Sequence, residues 1–192
     1  MILPVARELA GSVLLQKVSR LLALDQASRT TGWSVFIDGK LEKWGHFTLE
    51  SDDVGERLFA FRTILKEKIA EFDINEIAFE DIQLQQNVQN NVATFKTLAE
   101  FFGCVYELAT EMKIPNTAVL AGTWKSTLGI AGKDRPAQKR NAQAFAQEKY
   151  QIKCTQDEAD SICIGTHMII HQGYEKKPTK KTNVPVEGFS WD

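Results

Sequence analysis

Four acidic residues stand where their carboxylates could act together. Asp25 and Glu80 each end a short apolar segment that has the composition of a buried strand. Asp157 and Asp160 lie three residues apart in a segment with helical spacing, so they share one face of the predicted helix. Clustered carboxylates repel one another unless a divalent cation such as Mg²⁺, which prefers oxygen ligands, lies between them. The pattern therefore predicts a metal site.

Such a site suits the hydrolysis of phosphodiesters. Two divalent ions about 3.5–4 Å apart can activate a water and stabilise the leaving oxygen. The net charge of the whole chain is only −2, but residues 113–140 carry six basic residues and one acid, whereas residues 50–80 have a net charge of −5. The basic segment could contact phosphate, although its charge is equally consistent with a solvated surface. Its basic residues are Lys113, Lys125, Lys133, Arg135, Lys139 and Arg140.

The elements that must position these side chains follow from residue spacing. Apolar and β-branched runs predict strands at 21–25, 32–37, 41–49, 76–80 and 117–121, with Asp38-Gly39 as a hairpin turn. Apolar residues every three or four positions predict helices at 53–72, 90–112, 137–150 and 155–170. A short helix capped by Thr123 is predicted through Leu128. This order predicts an α/β protein with a ribonuclease H-like fold, a mixed five-stranded sheet flanked by helices.

The bulk composition narrows the class of protein. The length of 192 residues suits one domain, and we divide it into an N-terminal extension (1–20), a nuclease domain (21–171) and a flexible basic tail (172–192). The sequence has no apolar run of about 20 residues, so we expect no membrane span. Charges at Arg7, Glu8 and Lys17 disfavour a signal peptide, and three isolated cysteines disfavour disulfides. These features predict a cytoplasmic protein.

Several motifs resemble those of the RuvC-type Holliday junction resolvases, which are crossover junction endodeoxyribonucleases of the ribonuclease H-like superfamily. They are LDQASRTTGW at 24–33, FEDI at 79–82 and DEADSI at 157–162. Trp124-Lys125 and Gln138-Lys139-Arg140 fit the same pattern. The similarity covers residues 21–171 and is greater to the divergent forms of bacteriophages than to the bacterial housekeeping enzyme. Each motif is weak alone, but the four acids in order with both lysines are a strong combination.

The resemblance implies a homodimer, formed through the helix at 90–112, that nicks branched DNA with two Mg²⁺ or Mn²⁺ ions and leaves 5′-phosphate and 3′-hydroxyl ends. It implies that the four acids are metal ligands and that Lys125, a catalytic residue, and Lys139 lie near the scissile phosphate, with Arg140 assisting. We also expect contacts between DNA and three further side chains, Lys133, Arg135 and Gln83.

One departure from the family concerns the selection of DNA. Gln83 stands three residues after the second acid, where the bacterial resolvases commonly carry an aromatic side chain that stacks on bases. We therefore expect looser branch selectivity. Two neighbours of the acids have smaller expected roles: Asp81 should point away from Glu80 on a strand, and packing is the favoured role of His167.

Three other functions fit parts of the pattern. A ribonuclease H-like nuclease could act on RNA–DNA hybrids or flaps, and a non-catalytic DNA-binding module could share the fold. The non-catalytic module would not require all four acids. An actin-like phosphotransferase also begins with a strand, an aspartate and a hairpin, but it needs glycines where this chain has Gln26-Ala-Ser-Arg29.

Overall fold

The computed structural model describes residues 18–83 and 92–178, which form five strands and five helices. The strands are β1 (Arg20–Asp25), β2 (Thr30–Ile37), β3 (Lys40–Thr48), β4 (Glu76–Glu80) and β5 (Asn116–Val119). The helices are α1 (Val54–Glu71), α2 (Val92–Glu111), α3 (Ala121–Leu128), α4 (Arg135–Tyr150) and α5 (Gln156–His171). Among these helices, none is both long and apolar enough to cross a membrane.

The sheet is mixed and has the strand order β3-β2-β1-β4-β5. The first three strands form an antiparallel meander, whereas β4 pairs in parallel with both β1 and β5. Asp38 and Gly39 join β2 to β3 with φ angles of 47° and 78°, a turn in which both residues take a positive φ. The predicted five-stranded mixed sheet and its hairpin are confirmed.

Hydrophobic side chains fill both faces of the sheet. Along β1, Leu21 and Ala23 face a core shared with α3, α4 and α5, whereas Leu22 and Leu24 face a core shared with α1 and α2. This division follows the alternation of side chains along a strand. Because β1 is buried on both faces, it is a continuous apolar run that ends in Asp25.

Helix α5 lies unusually close to the sheet at two glycines. A Cβ on Gly32 would overlap the backbone carbonyl of Asp157, and a Cβ on Gly165 would overlap the ring of Phe36. Between these points, the Ser34 hydroxyl donates a hydrogen bond to the Ser161 carbonyl at 3.0 Å. The absence of a side chain at both glycines therefore sets how closely α5 approaches β2.

Two helix starts differ from the predicted ones by two residues or more. Helix α3 begins at Ala121, not at a Thr123 cap, because Leu120 takes the N-cap position without a side-chain hydrogen bond; β5 accordingly ends at Val119. Helix α4 begins at Arg135, since Asp134 caps it by accepting from the Ala137 N–H at 2.8 Å. The predicted start of α2 at 90 lies outside the described residues.

Candidate active site

One cleft of about 410 Å³ is lined by all four acids. Parallel pairing of Leu24 with Phe79 places Asp25 and Glu80, the next residues, side by side at the ends of β1 and β4. Helix α5 supplies Asp157 and Asp160 from its N-terminal part. That end is fixed by a capping box, in which the Glu158 N–H donates to the Thr155 hydroxyl and the Thr155 N–H donates to the Glu158 carboxylate.

The cleft also brings together several of the predicted DNA-contacting residues. Lys125, Arg135, Lys139 and Gln83 line it. The other two predicted DNA contacts, Lys133 and Arg140, are exposed and do not line the cleft. Asp81, which follows the last residue of β4, borders the cleft as well.

Lys139 lies between the two acids of α5. Its Nζ is 3.3 Å from Asp157 Oδ1 and 3.8 Å from Asp160 Oδ2. Burial favours the neutral amine, but the Asp160, Asp157 and Asp25 carboxylates outweigh it and raise the pKa of Lys139. The ammonium group therefore provides a positive charge inside the acidic cluster.

Burial raises the pKa values of three of the acids, and repulsion by neighbouring carboxylates adds to it at Asp25 and Asp160. Burial raises the pKa of Asp25 well above its usual value, and the Glu80 and Asp160 charges raise it further. Burial raises the pKa of Asp160 to about 6, although Lys139 opposes that shift. Burial also raises the pKa of Glu80, against the hydrogen bond from Trp124 and the charge of Lys125. More positive charge at this cluster would favour the ionised carboxylates.

A hard divalent cation fits this donor set. The four side chains offer only carboxylate oxygens, the ligands that Mg²⁺ prefers. The raised pKa values of Asp25, Glu80 and Asp160 indicate that these three carboxylates lack compensating positive charge. Within residues 18–83 and 92–178, no three His, Cys, Asp or Glu side chains form a ready-made metal site. Lys139 already contacts two of the acids, so those carboxylates would have to exchange it for a cation.

Two side chains hold Glu80 in place, and neither was predicted to do so. Buried Gln26 donates to the Glu80 carbonyl at 2.5 Å and accepts from the Glu80 N–H at 3.2 Å. Fully buried Trp124 donates its indole N–H to Glu80 Oε2 at 3.0 Å. Gln26 thus joins the end of β1 to the end of β4, and Trp124 orients the carboxylate.

His167 has a packing role, as the sequence favoured. It is buried, and its Nδ1 lies 3.0 Å from the Thr127 hydroxyl. Burial, then the His171 and Lys177 charges, lower the pKa of His167 to about 4, so the ring is neutral near pH 7. It does not line the cleft.

Solved structures share this arrangement of strands and helices. Thermus thermophilus RuvC in complex with a Holliday junction substrate is 17% identical, with a TM-score of 0.65 over 81% of this chain and 96% of that one. The yeast mitochondrial Holliday junction resolvase is 12% identical, with a TM-score of 0.57 over 81% and 80%. The chain has the fold of the RuvC-type resolvases. The resemblance noted in the sequence is confirmed at the level of fold.

A viral protein shares the RuvC-type fold. Fowlpox virus resolvase, solved with its substrate Holliday junction DNA, is 8% identical, with a TM-score of 0.54 over 80% of this chain and 98% of that one. No protein-family model matches the sequence, and neither does any curated protein. The comparison of structures thus supports the fold that the sequence motifs indicated.

We expect Trp124→Phe to raise the pKa of Glu80. The indole hydrogen bond stabilises the ionised carboxylate, so its loss favours the protonated form and costs about 1–3 kcal/mol of unfolding free energy. Carbon-13 NMR of the Glu80 carboxyl group would report the pKa, and urea unfolding would report the stability. Trp44→Phe, which removes an indole outside the cleft, is the control. An unchanged Glu80 pKa in Trp124→Phe would contradict the orienting role.

Ionisation of Asp160 should lower the stability of the metal-free protein as the pH rises from about 4 to about 6. An unfolded aspartate has a pKa of about 3.9, whereas that of folded Asp160 is about 6. Folded Asp160 therefore keeps its proton to higher pH than unfolded Asp160 does, and this contribution to stability falls as the pH increases. His167 contributes with the opposite sign because its folded pKa is about 4, so the effect is measured against a variant. Urea unfolding in EDTA would measure the effect. Asp160→Asn, which cannot ionise, should lose less stability over the window; equal losses in the two proteins would contradict the shift.

Proposed function

We propose that this chain is a structure-selective endodeoxyribonuclease that hydrolyses phosphodiesters in branched DNA, such as Holliday junctions and related forks. The observation that carries the proposal is the single cleft into which β1, β4 and α5 bring the four acids, with Lys125 and Lys139 beside them. RuvC and the fowlpox virus resolvase, which share the fold, were solved with Holliday junctions. That likeness supports branched DNA as the substrate.

Each part of the cleft has a role in this proposal. Asp25, Glu80, Asp157 and Asp160 hold two Mg²⁺ or Mn²⁺ ions, which when bound supply the Lewis acidity that phosphodiester hydrolysis needs. Lys125 contacts the scissile or a neighbouring phosphate as a compact point charge. Lys139, which pairs with Asp157, would contact a phosphate of the same strand. The products carry 5′-phosphate and 3′-hydroxyl ends.

The remaining DNA contacts surround the cleft. Arg135 and Gln83 line it, so both can reach a strand bound there. Lys133 and Arg140 are exposed and would meet phosphates further along the DNA. Gln83 cannot stack on a base as an aromatic ring does, which favours looser branch selectivity. In this proposal, residues 21–171 form the nuclease domain, residues 1–20 an N-terminal extension and residues 172–192 a basic tail.

We also propose a homodimer that forms through α2 and acts in the cytoplasm, that of a bacterial host if a bacteriophage encodes the chain. One face of α2 packs into the core of its own protomer, where the Phe101 ring contacts the Phe61 ring with centroids 5.1 Å apart. It also exposes 60% of Val92 and 41% of Tyr106, which a second copy could cover. Light scattering of the wild-type chain and of Tyr106→Glu would test the dimer, which the charged side chain should weaken.

A gel assay tests the proposed reaction. Purified protein is incubated with four-way, three-way, flap, linear and RNA–DNA hybrid substrates, with Mg²⁺ or with EDTA. We expect Mg²⁺-dependent cleavage of the branched DNA and little cleavage of the linear duplex. Preferential cleavage of the hybrid would indicate a ribonuclease H-like activity instead. If the protein binds the junction but cleaves no substrate in the presence of any divalent ion, it is a non-catalytic module.

A further inference from the structure

A second depression, of about 1180 Å³, shares the lining residue Lys125 with the cleft. It is bounded by the C-terminal half of α3, residues 129–131, the middle of α4 and residues 176–178. Lys125 lines both depressions, and its Nζ donates to Gln138 Oε1 at 3.3 Å. The cleft and this groove therefore meet at the Lys125 side chain.

The groove combines an apolar lining with positive charge. Leu128, Ile130 and Phe145 supply apolar surface. Glu148 is its single acidic lining residue, against four lysines. These are Lys125, Lys149, Lys176 and Lys177. The groove therefore carries a surplus of positive charge next to the cleft.

Two of these lysines are held in place by residues that precede them. The Tyr174 N–H donates to the Ile169 carbonyl at 3.0 Å, and the Tyr174 side chain lies against Gly39 in the β2–β3 turn. Glu175 pairs with Lys149 at 2.7 Å. Lys176 and Lys177 follow directly, are exposed, and form no ion pair with an acid within residues 18–83 and 92–178. Their charges are thus positioned at the groove and available to a ligand.

The geometry points to this groove as the path of a DNA strand that continues from the cleft, with Lys176 and Lys177 contacting its phosphates. This inference rests on the proposed function. Lysines beside apolar and aromatic surface form the combination that binds a single strand, because the charges follow the backbone while sugars and bases cover the apolar part. Because Lys125 lines both the cleft and the groove, the DNA proposed to bind in the cleft is a more natural occupant of the groove than an unrelated peptide.

The first test measures how DNA binding depends on salt. Fluorescence anisotropy with a four-way junction compares Asp25→Asn protein with and without Lys176→Ala/Lys177→Ala. We expect about tenfold weaker binding at 0.15 M salt and a slope of log affinity against log salt that is smaller by about two, since two phosphate contacts are lost.

A charge-matched control separates local contacts from net charge. Lys43→Ala/Lys113→Asn removes two charges from exposed positions away from the groove, and asparagine tolerates the positive φ of 56° at Lys113. The inference is overturned if the groove variant and this control have the same affinity and slope. Failure of the proposed function is a separate result, in which the wild-type chain neither binds nor cuts the junction.

A second test identifies the occupant directly. Ala144 is exposed and lines the groove, so a photoreactive benzoylphenylalanine can replace it in the full-length chain. Irradiation with a labelled junction should produce a protein–DNA adduct, and Lys176→Ala/Lys177→Ala should reduce it. The benzoylphenylalanine at position 144 could instead crosslink only to residues 179–192 of the same chain or to a second copy of the protein. Either result would mean that a protein segment occupies the groove, and it would overturn the inference.

Discussion

Asp25→Asn is expected to abolish the cleavage of branched DNA while junction binding persists or tightens. The carboxylate ends β1 next to Glu80 and lies in the same cleft as both acids of α5, so it is the acid best placed to share cations with the others. Loss of one ligand should lower the single-turnover rate at least about a thousandfold, or about 4 kcal/mol. Binding is preserved because the variant presents less negative charge to the phosphates.

Matched variants make this result specific. Asp73→Asn is the same change on the surface, where Asp73 pairs with Arg20 and adopts a positive φ that asparagine tolerates. It should cut at the wild-type rate. Single-turnover gels measure cleavage, and anisotropy in Ca²⁺ or EDTA measures binding. A wild-type rate for Asp25→Asn in Mg²⁺ would show that the proposed active site is wrong.

Gly32→Ala should damage both the stability and the activity of the protein. The added Cβ would overlap the Asp157 carbonyl, so α5 must move away from β2 at the end that carries Asp157 and Asp160. Overpacking of this kind costs about 1–3 kcal/mol of unfolding free energy. A displacement of about 1 Å at a reacting site can reduce the rate about a hundredfold. The two losses have one cause, the forced separation of α5 from the sheet.

Gly103→Ala provides the matched comparison. Gly103 lies in α2, and a Cβ there would meet nothing within 4 Å. Alanine is favoured over glycine inside a helix by about 1 kcal/mol, so this variant should be as stable as wild type or more so. Urea unfolding and single-turnover cleavage measure both variants. A Gly32→Ala protein with wild-type stability and rate would contradict the close approach of α5 to β2.

The sheet and two of the acids could be predicted because local patterns encode them. An apolar run that ends in an acid indicates a buried strand whose last side chain leaves the core, and Asp25 and Glu80 both fit. The Asp38-Gly39 pair identifies the hairpin for a similar reason, since few residues accept positive φ angles in succession. Each of these features is determined by neighbours in the chain.

The parts that escaped prediction depend on contacts between distant segments. Gln26 reaches Glu80 only because β1 and β4 are adjacent, a pairing that residue spacing does not reveal. The hydrogen bond from Trp124 to Glu80 likewise forms only because α3 packs near the end of β4. The start of α3 was missed because Leu120 offers no side-chain cap that the sequence could show.

The acids stand on rigid parts of the molecule, and this has a consequence for how a substrate is chosen. Two end central strands of the sheet, and two lie on a helix that contacts four of the five strands. Such a site cannot follow a phosphate that lies out of reach, so the branched DNA that we propose as the substrate would have to deform until a phosphodiester enters the cleft. Bending and unstacking an intact duplex costs several kcal/mol, whereas DNA at a branch point is already partly bent and unstacked, so less energy is needed there. Selectivity for branches would then reflect the mechanics of DNA as much as any contact with a base.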